Sequence, residues 1–223
     1  MTIKTNIGNN MKNILIFLFI VLPCLFIVWT FVTDSQNDQG NIWIEKEYYE
    51  NGRVESETQY VDGKRHGTYK EYFESGQLWF EVPYKKGKRN GIKIGYYKTG
   101  QLESETPYVN DKMHGIMKQY YKSGKLEAET KYVQGERHGT YKEYYKNGQV
   151  KSEVLYVRGN RHGTYKEYYK TGELKSEVPY VGGEIYGISK SYYESGQLKS
   201  KSRFVLMTDH GTINYDENGN IIK

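Results

Sequence analysis

Residues 147–170 read NGQVKSEVLYVRGNRHGTYKEYYK, and the same pattern returns along the chain at intervals of 24 residues. Gly52, Gly76, Gly100, Gly124, Gly148, Gly172 and Gly196 keep that interval, as do Gly67, Gly91, Gly115, Gly139, Gly163, Gly187 and Gly211. A third series, Gly63, Gly87, Gly135, Gly159 and Gly183, skips only Asp111. Nineteen of the 24 glycines fall in these series, so the chain is a repeat array and not one or two ordinary globular domains.

Within a unit, Leu126, Ala128, Thr130 and Tyr132 alternate with Glu127, Glu129, Lys131 and Val133. This two-residue period belongs to a strand with one packed and one wetter face. A turn at QGER or its equivalent leads into the HGTYKEYYK arm, and NG or SG leads on to the next unit, which predicts a hairpin per period. The second arm alternates less clearly, because the neighbours Tyr144 and Tyr145 must point to opposite sides of a regular strand. A helical reading would place glycines inside every helix, at about 1 kcal/mol each relative to alanine.

Tyrosines supply the contact area that a leucine-poor chain lacks. Tyr72, Tyr96, Tyr120, Tyr144, Tyr168 and Tyr192 form one column, and Tyr60, Tyr84, Tyr108, Tyr132, Tyr156 and Tyr180 another. Such rings pack between successive hairpins while their hydroxyls find water or a hydrogen-bond partner. The expected fold is all-β: an elongated single-layer hairpin solenoid over residues 41–223, with Ile42, Trp43 and Ile44 closing its first edge and Ile221 and Ile222 its last.

Ahead of the array stands a different kind of sequence. Residues 1–13 carry Lys4 and Lys12, and residues 14–32 read ILIFLFIVLPCLFIVWTFV, an apolar run of 19. As a helix rising about 1.5 Å per residue, the run approaches the roughly 30 Å hydrocarbon thickness of a bilayer, so one transmembrane anchor is expected. A cleaved secretory signal is the competing reading; it needs an apolar core of about 7–15 residues and a small-x-small cleavage site, which is not evident before Asp34. Residues 33–40, TDSQNDQG, form a polar linker. Lys4 and Lys12 before the run, against Asp34 and Asp38 after it, place the N-terminus in the cytoplasm and the array outside; cleavage would make the protein secreted.

Composition narrows the function classes. With 37% hydrophobic and 26% charged residues the chain is no multispanning membrane protein, and 15% aromatic residues argue against disorder. The net charge of +5 is spread among both signs and makes nucleic acid an unlikely partner. One cysteine excludes an internal disulfide framework.

The pattern G-x-[LV]-x-x-E-x-x-Y followed by G-x-x-[HN]-G-x-x-x-x-Y-Y, seen best in Gly148, Glu153, Tyr156, Gly159, His162, Gly163 and Tyr168, resembles the MORN repeat in its longer bacterial variant. The resemblance implies a single-layer sheet of successive hairpins. It also implies a likeness to the bacterial YwqK-type antitoxin family, and hence an antitoxin or immunity protein that neutralises a partner toxin. Arrays of this kind also act as spacers or protein-binding surfaces, and a shared solenoid does not fix a ligand.

Chemistry-bearing residues are themselves periodic. His66, His114, His138, His162 and His210 occupy one column, and a 24-residue pitch does not assemble the compact ligand set that zinc needs. Glu57, Glu81, Glu105, Glu129, Glu153 and Glu177 form another, whose equivalence argues against a specialised acid and base. No catalytic residue, metal or cofactor is expected. The most divergent segment, LWFEVPYKKGKRNG at 78–91, offers Trp79 and Phe80 with Lys85, Lys86, Lys88 and Arg89 as a candidate protein-binding patch, with anionic lipid contact as a second use. The ladder residues expected to be structural are the six tyrosines from Tyr72 to Tyr192 with Gly67, Gly91, Gly115, Gly139, Gly163 and Gly187. The resulting expectation is a noncatalytic, single-pass membrane protein that displays its array outside the cytoplasm for protein interaction or envelope organisation, or else an antitoxin.

Overall fold

The computed structural model describes residues 2–6, 15–18, 28–31, 41–205 and 208–222. The chain divides into two compact units, Met1–Lys112 and Met113–Lys223. In the first, the strands Ile42–Tyr48, Val54–Val61, Gly67–Tyr72, Leu78–Lys85, Gly91–Tyr96 and Leu102–Val109 pair in succession, each antiparallel to the last. In the second, Gly115–Tyr120, Leu126–Val133, Glu136–Tyr144, Val150–Val157, Asn160–Tyr168, Leu174–Val181, Gly187–Tyr192, Leu198–Val205 and Thr208–Tyr215 do the same.

Two turn types alternate. Lys85 faces Lys88 across a two-residue loop in which Lys86 and Gly87 have φ of 53° and 84°. Positive φ at both positions makes a type I′ turn, whose twist matches that of the strands it joins. At the other end of each hairpin, Tyr145 N donates to Gln149 O and Gly148 N donates to Tyr145 O, both at 2.8 Å, closing a three-residue loop with glycine in the left-handed region. In the first unit, the glycines at the start of the HG arm answer to space as well as to φ. A Cβ on Gly91 would overlap the Pro83 ring across the hairpin, and one on Gly67 would overlap Gln59.

The adjacent tyrosines are reconciled by a bulge. Glu143 pairs with Ser152 and Tyr144 with Val150, leaving Lys151 unmatched, and the same shift recurs in each hairpin. In the second hairpin of the first unit the unmatched residue is Trp79, since Glu71 pairs with Phe80 and Tyr72 with Leu78. One face of the strands carries what core there is: Val82 in the first unit, and Ala128, Val154 and Tyr156 in the second, with buried Ser56, Thr58, Thr130 and Ser152 at equivalent alternate positions.

The N-terminal expectation is corrected. Within the run read as one transmembrane helix, Leu15–Leu18 and Val28–Phe31 are strands, paired antiparallel from Leu15 with Phe31 to Leu18 with Val28. Among the described residues no helix is long and apolar enough to cross a membrane; residues 14, 19–27 and 32 lie outside them, as does the linker at 33–40. The physical reason is in the composition. Ile, Val, Phe, Trp and Thr dominate the run and favour extended backbone, and Pro23 interrupts a helix at its middle. The single-pass topology, signal anchor, extracytoplasmic placement and membrane attachment through residues 14–32 fall with the helix.

The first edge is corrected too. Thr2–Asn6 lies antiparallel along Ile42–Tyr48, from Thr2 opposite Glu47 to Asn6 opposite Trp43, and an ion pair of 3.2 Å joins Lys4 to Glu45. Trp43 is therefore flanked by strand on both sides, and its ring stacks on Tyr60 at 5.1 Å.

Candidate protein-binding site

Most conspicuous side chains belong to ladders that hold hairpin to hairpin. The hydroxyls of Tyr72, Tyr96, Tyr144, Tyr168 and Tyr192 donate to Glu57, Glu81, Glu129, Glu153 and Glu177 respectively, at 2.8–3.4 Å. The second tyrosine of each pair works differently. Tyr49, Tyr121, Tyr145, Tyr169 and Tyr193 donate to the backbone carbonyls of Tyr72, Tyr144, Tyr168, Tyr192 and Tyr215 in the following repeat, at 2.6–2.9 Å. Burial, with Glu129 as hydrogen-bond partner and charge, pushes the Tyr144 hydroxyl up to about 12. Lys46 and Lys190 close ion pairs of 2.6 and 2.8 Å on Glu57 and Glu177. At least five glutamates of the column thus accept from a phenol, and Glu57 and Glu177 accept from an ammonium group as well.

The segment singled out at 78–91 separates into two places. Trp79, at the bulge, is 42% exposed, and its ring lies 5.6 Å from Phe73 and 5.4 Å from Phe80. Equivalent bulge positions elsewhere hold Lys151 and Lys175, whose ammonium groups reach Glu143 and Glu167 at 2.6 and 2.8 Å. Phe80 is half-buried; it packs against Tyr69 and lies under the Lys93 ammonium, 3.7 Å from the ring centre. Burial, together with the charge of Arg89, holds the Lys93 amine below its ordinary value despite the opposing effect of Glu71. Lys85, Lys86 and Lys88 are exposed at the type I′ turn at the far end of the same strand, about 20 Å from Trp79 at 3.3 Å per residue. Arg89 is engaged locally, over the Tyr108 ring at 4.3 Å and on Asp111 Oδ1 at 3.2 Å.

Arg65, Arg89, Arg137 and Arg161 form a column of which the sequence singled out only Arg89. Its signal was present, an arginine just before His66, Asn90, His138 and His162, with Met113 and Asp209 in its place before His114 and His210. In the second unit Arg137 and Arg161 flank a concavity of about 220 Å³, walled by Tyr141 and Tyr165 and floored by Val154 and Tyr156. Arg137 donates through Nε to Tyr132 and through Nη1 to Tyr156, both at 3.3 Å. Arg161 donates through Nε to Tyr156 at 3.4 Å and through Nη1 to Tyr180 at 3.1 Å. Burial raises the Tyr156 phenol, but the two guanidinium hydrogen bonds outweigh it and hold the group below its ordinary value. Glu143, also on the rim, accepts from Lys151 and from Ser152.

The histidines do not converge. His114, His138, His162 and His210 are exposed at successive irregular steps, and among the described residues no group of three His, Cys, Asp or Glu side chains is placed to hold a metal.

Antiparallel hairpins on a fixed pitch, joined by tyrosine and glutamate ladders, define a β-repeat protein. The repeat family described as MORN repeat variant matches seven times, at residues 44–62, 65–86, 89–110, 113–134, 137–158, 161–181 and 185–205. The chain belongs to the MORN repeat variant family. No curated protein matches it. Among solved structures, a porin-like protein from Bacteroides uniformis aligns over 82% of this chain and 93% of its own, at 10% identity and a TM-score of 0.22, a likeness too weak to carry an argument. Residues 44–205 are a repeat scaffold. The family match concerns the repeat itself and carries no antitoxin specificity, so the antitoxin or immunity role has no support.

Proposed function

We propose that this MORN-repeat chain is a noncatalytic scaffold that binds a partner protein, with Trp79 and Phe80 as one anchor. The observation that carries this reading is the bulge residue Trp79. Where two sibling repeats place a lysine on a glutamate and the others a charged residue, this one exposes an indole beside Phe73 and Phe80, with Lys98 over the Phe73 ring at 5.7 Å. Exposed aromatic groups backed by fixed rings are the side chains that dominate protein interfaces, because burying them costs little conformational entropy. Lys85, Lys86 and Lys88 can contribute only to a partner long enough to follow the strand to its turn.

The test places a photocrosslinking amino acid at position 79 and, in a second protein, at position 151, in living cells of the source organism. A discrete adduct at 79 that is absent at 151 is expected, and its yield should fall when Phe73 and Phe80 are changed to leucine. Equal adducts at both positions, or none at 79, would remove the anchor.

A further inference from the structure

Arg137 and Arg161 are both exposed, and among the described residues neither has a carboxylate within ion-pair distance. Their only hydrogen-bond acceptors there are phenol oxygens, and those bonds run through Nε and Nη1. The remaining guanidinium N–H groups are open to an incoming anion, and a planar fork suits a carboxylate. Both side chains converge on one oxygen, that of Tyr156, at 3.3 and 3.4 Å, so the two donating nitrogens are no more than about 7 Å apart. An extended peptide presents residues i and i+2 on the same side, about 6.6 Å apart. The two guanidinium groups thus lie close enough together to be reached by two acidic side chains of one extended segment.

Resting on the protein-binding reading above, the geometry points to the Arg137–Tyr156–Arg161 concavity as the seat of an extended acidic segment of a partner protein, with Asp or Glu at i and i+2. The tyrosine walls hold the two arginines in place before binding, so little side-chain order has to be gained when the carboxylates arrive. Glu143, whose charge Lys151 offsets in part, also lines the concavity and argues for a peptide over an anionic membrane. A peptide can set a polar or basic residue beside that carboxylate, whereas a continuous sheet of phosphates would be repelled by it.

The experiment measures fluorescence anisotropy of labelled twelve-residue peptides with the purified full chain at low salt. One peptide carries Asp at i and i+2; the other has the same composition with Asp at i and i+3. Binding of the first is expected to be about tenfold tighter, the equivalent of one charge-assisted hydrogen bond, and to weaken as salt is raised. Arg137→Gln combined with Arg161→Gln should abolish the difference while the circular dichroism spectrum is kept. Because those arginines also hold phenols, Glu143→Gln is the second variant. Made together with Lys151→Gln, so that no ammonium group is released from its ion pair, it leaves both guanidinium groups in place and removes a nearby negative charge, and Glu143→Gln should tighten the first peptide several-fold relative to Lys151→Gln alone. Equal affinity for the two peptides, or no tightening in Glu143→Gln, would overturn the proposal. So would arginine-dependent binding to phosphatidylserine vesicles without peptide binding, or self-association at this site in sedimentation runs. Trp79 lies in the other unit, so a position-79 adduct without peptide binding removes only this inference, whereas loss of both removes the protein-binding reading.

Discussion

The Tyr144 hydroxyl donates to Glu129 Oε1 at 2.8 Å, and the bond is repeated with the same fifteen-residue separation between Tyr168 and Glu153. The described hairpins bury few side chains, so their stability has to come from such repeated neighbour terms. Tyr144→Phe keeps the ring and deletes the donor, leaving a half-buried carboxylate short of one partner. It should lower the unfolding free energy by about 1 kcal/mol, read from the urea midpoint at unchanged slope. Combined with Glu129→Gln, the loss should be less than the sum of the two single losses.

Alkaline pH tests the same ladder without mutation. Burial and the neighbouring glutamates push the hydroxyls of Tyr72, Tyr144 and Tyr168 up to about 12, against an ordinary 10.0. A proton held more tightly in the folded state stabilises fully below the unfolded value and is lost as pH rises through the folded one. The urea midpoint should therefore hold steady up to about pH 10 and fall towards pH 12. Tyr168→Phe should make that fall shallower; an unchanged slope would mean the Tyr168 proton is held no more tightly in the folded state than in the unfolded one.

Phe73 interrupts the other ladder. It occupies the column in which Tyr49 and Tyr121 each donate at 2.6 Å to the first tyrosine of the next repeat. Phe73→Tyr brings a hydroxyl to the Tyr96 carbonyl while keeping a ring against Trp79. A gain of about 1 kcal/mol in urea unfolding is expected, and the Trp79 emission should change little, because the ring stack remains.

The repeat pitch, the turn positions and the ladders could be read from the chain because Gly148, Tyr144 and Glu153 each recur at one interval. The bulge could not. Lys151 and Trp79 carry no local mark of being the unmatched residue, and only strand register shows that Trp79 leaves the ladder for solvent. Arg137 and Arg161 were hidden by their repetition, since a periodic basic residue reads as solvated surface until its acceptors are seen to be phenols. The apolar run misled for a physical reason. Hydropathy measures how much a segment gains by leaving water, not whether it leaves as a helix or as paired strands, and strand-favouring residues around Pro23 tipped that choice.

Asp111 allows the last prediction, because it is the one departure from the third glycine series between Gly63 and Gly183. It stands at φ 69° in a type I′ turn after Asn110 at φ 49°. Its Oδ1 accepts from Arg89 N at 2.9 Å and Arg89 Nε at 3.2 Å, and its own N–H donates to Arg89 O at 3.0 Å. The side chain thus offsets the left-handed backbone by tying the turn to the preceding repeat. Asp111→Ala keeps the strained φ and removes the acceptor, which should cost about 2 kcal/mol. Asp111→Gly removes the acceptor and the strain together and should come within about 0.5 kcal/mol of the parent. The backbone N–H of Arg89, aided by its guanidinium, holds the Asp111 carboxyl below its ordinary value, so the carboxylate's contribution is present above that range and lost as pH falls. The gap between the two variants should therefore stay open at low pH, where strain alone separates them, while the parent's lead over Asp111→Ala narrows.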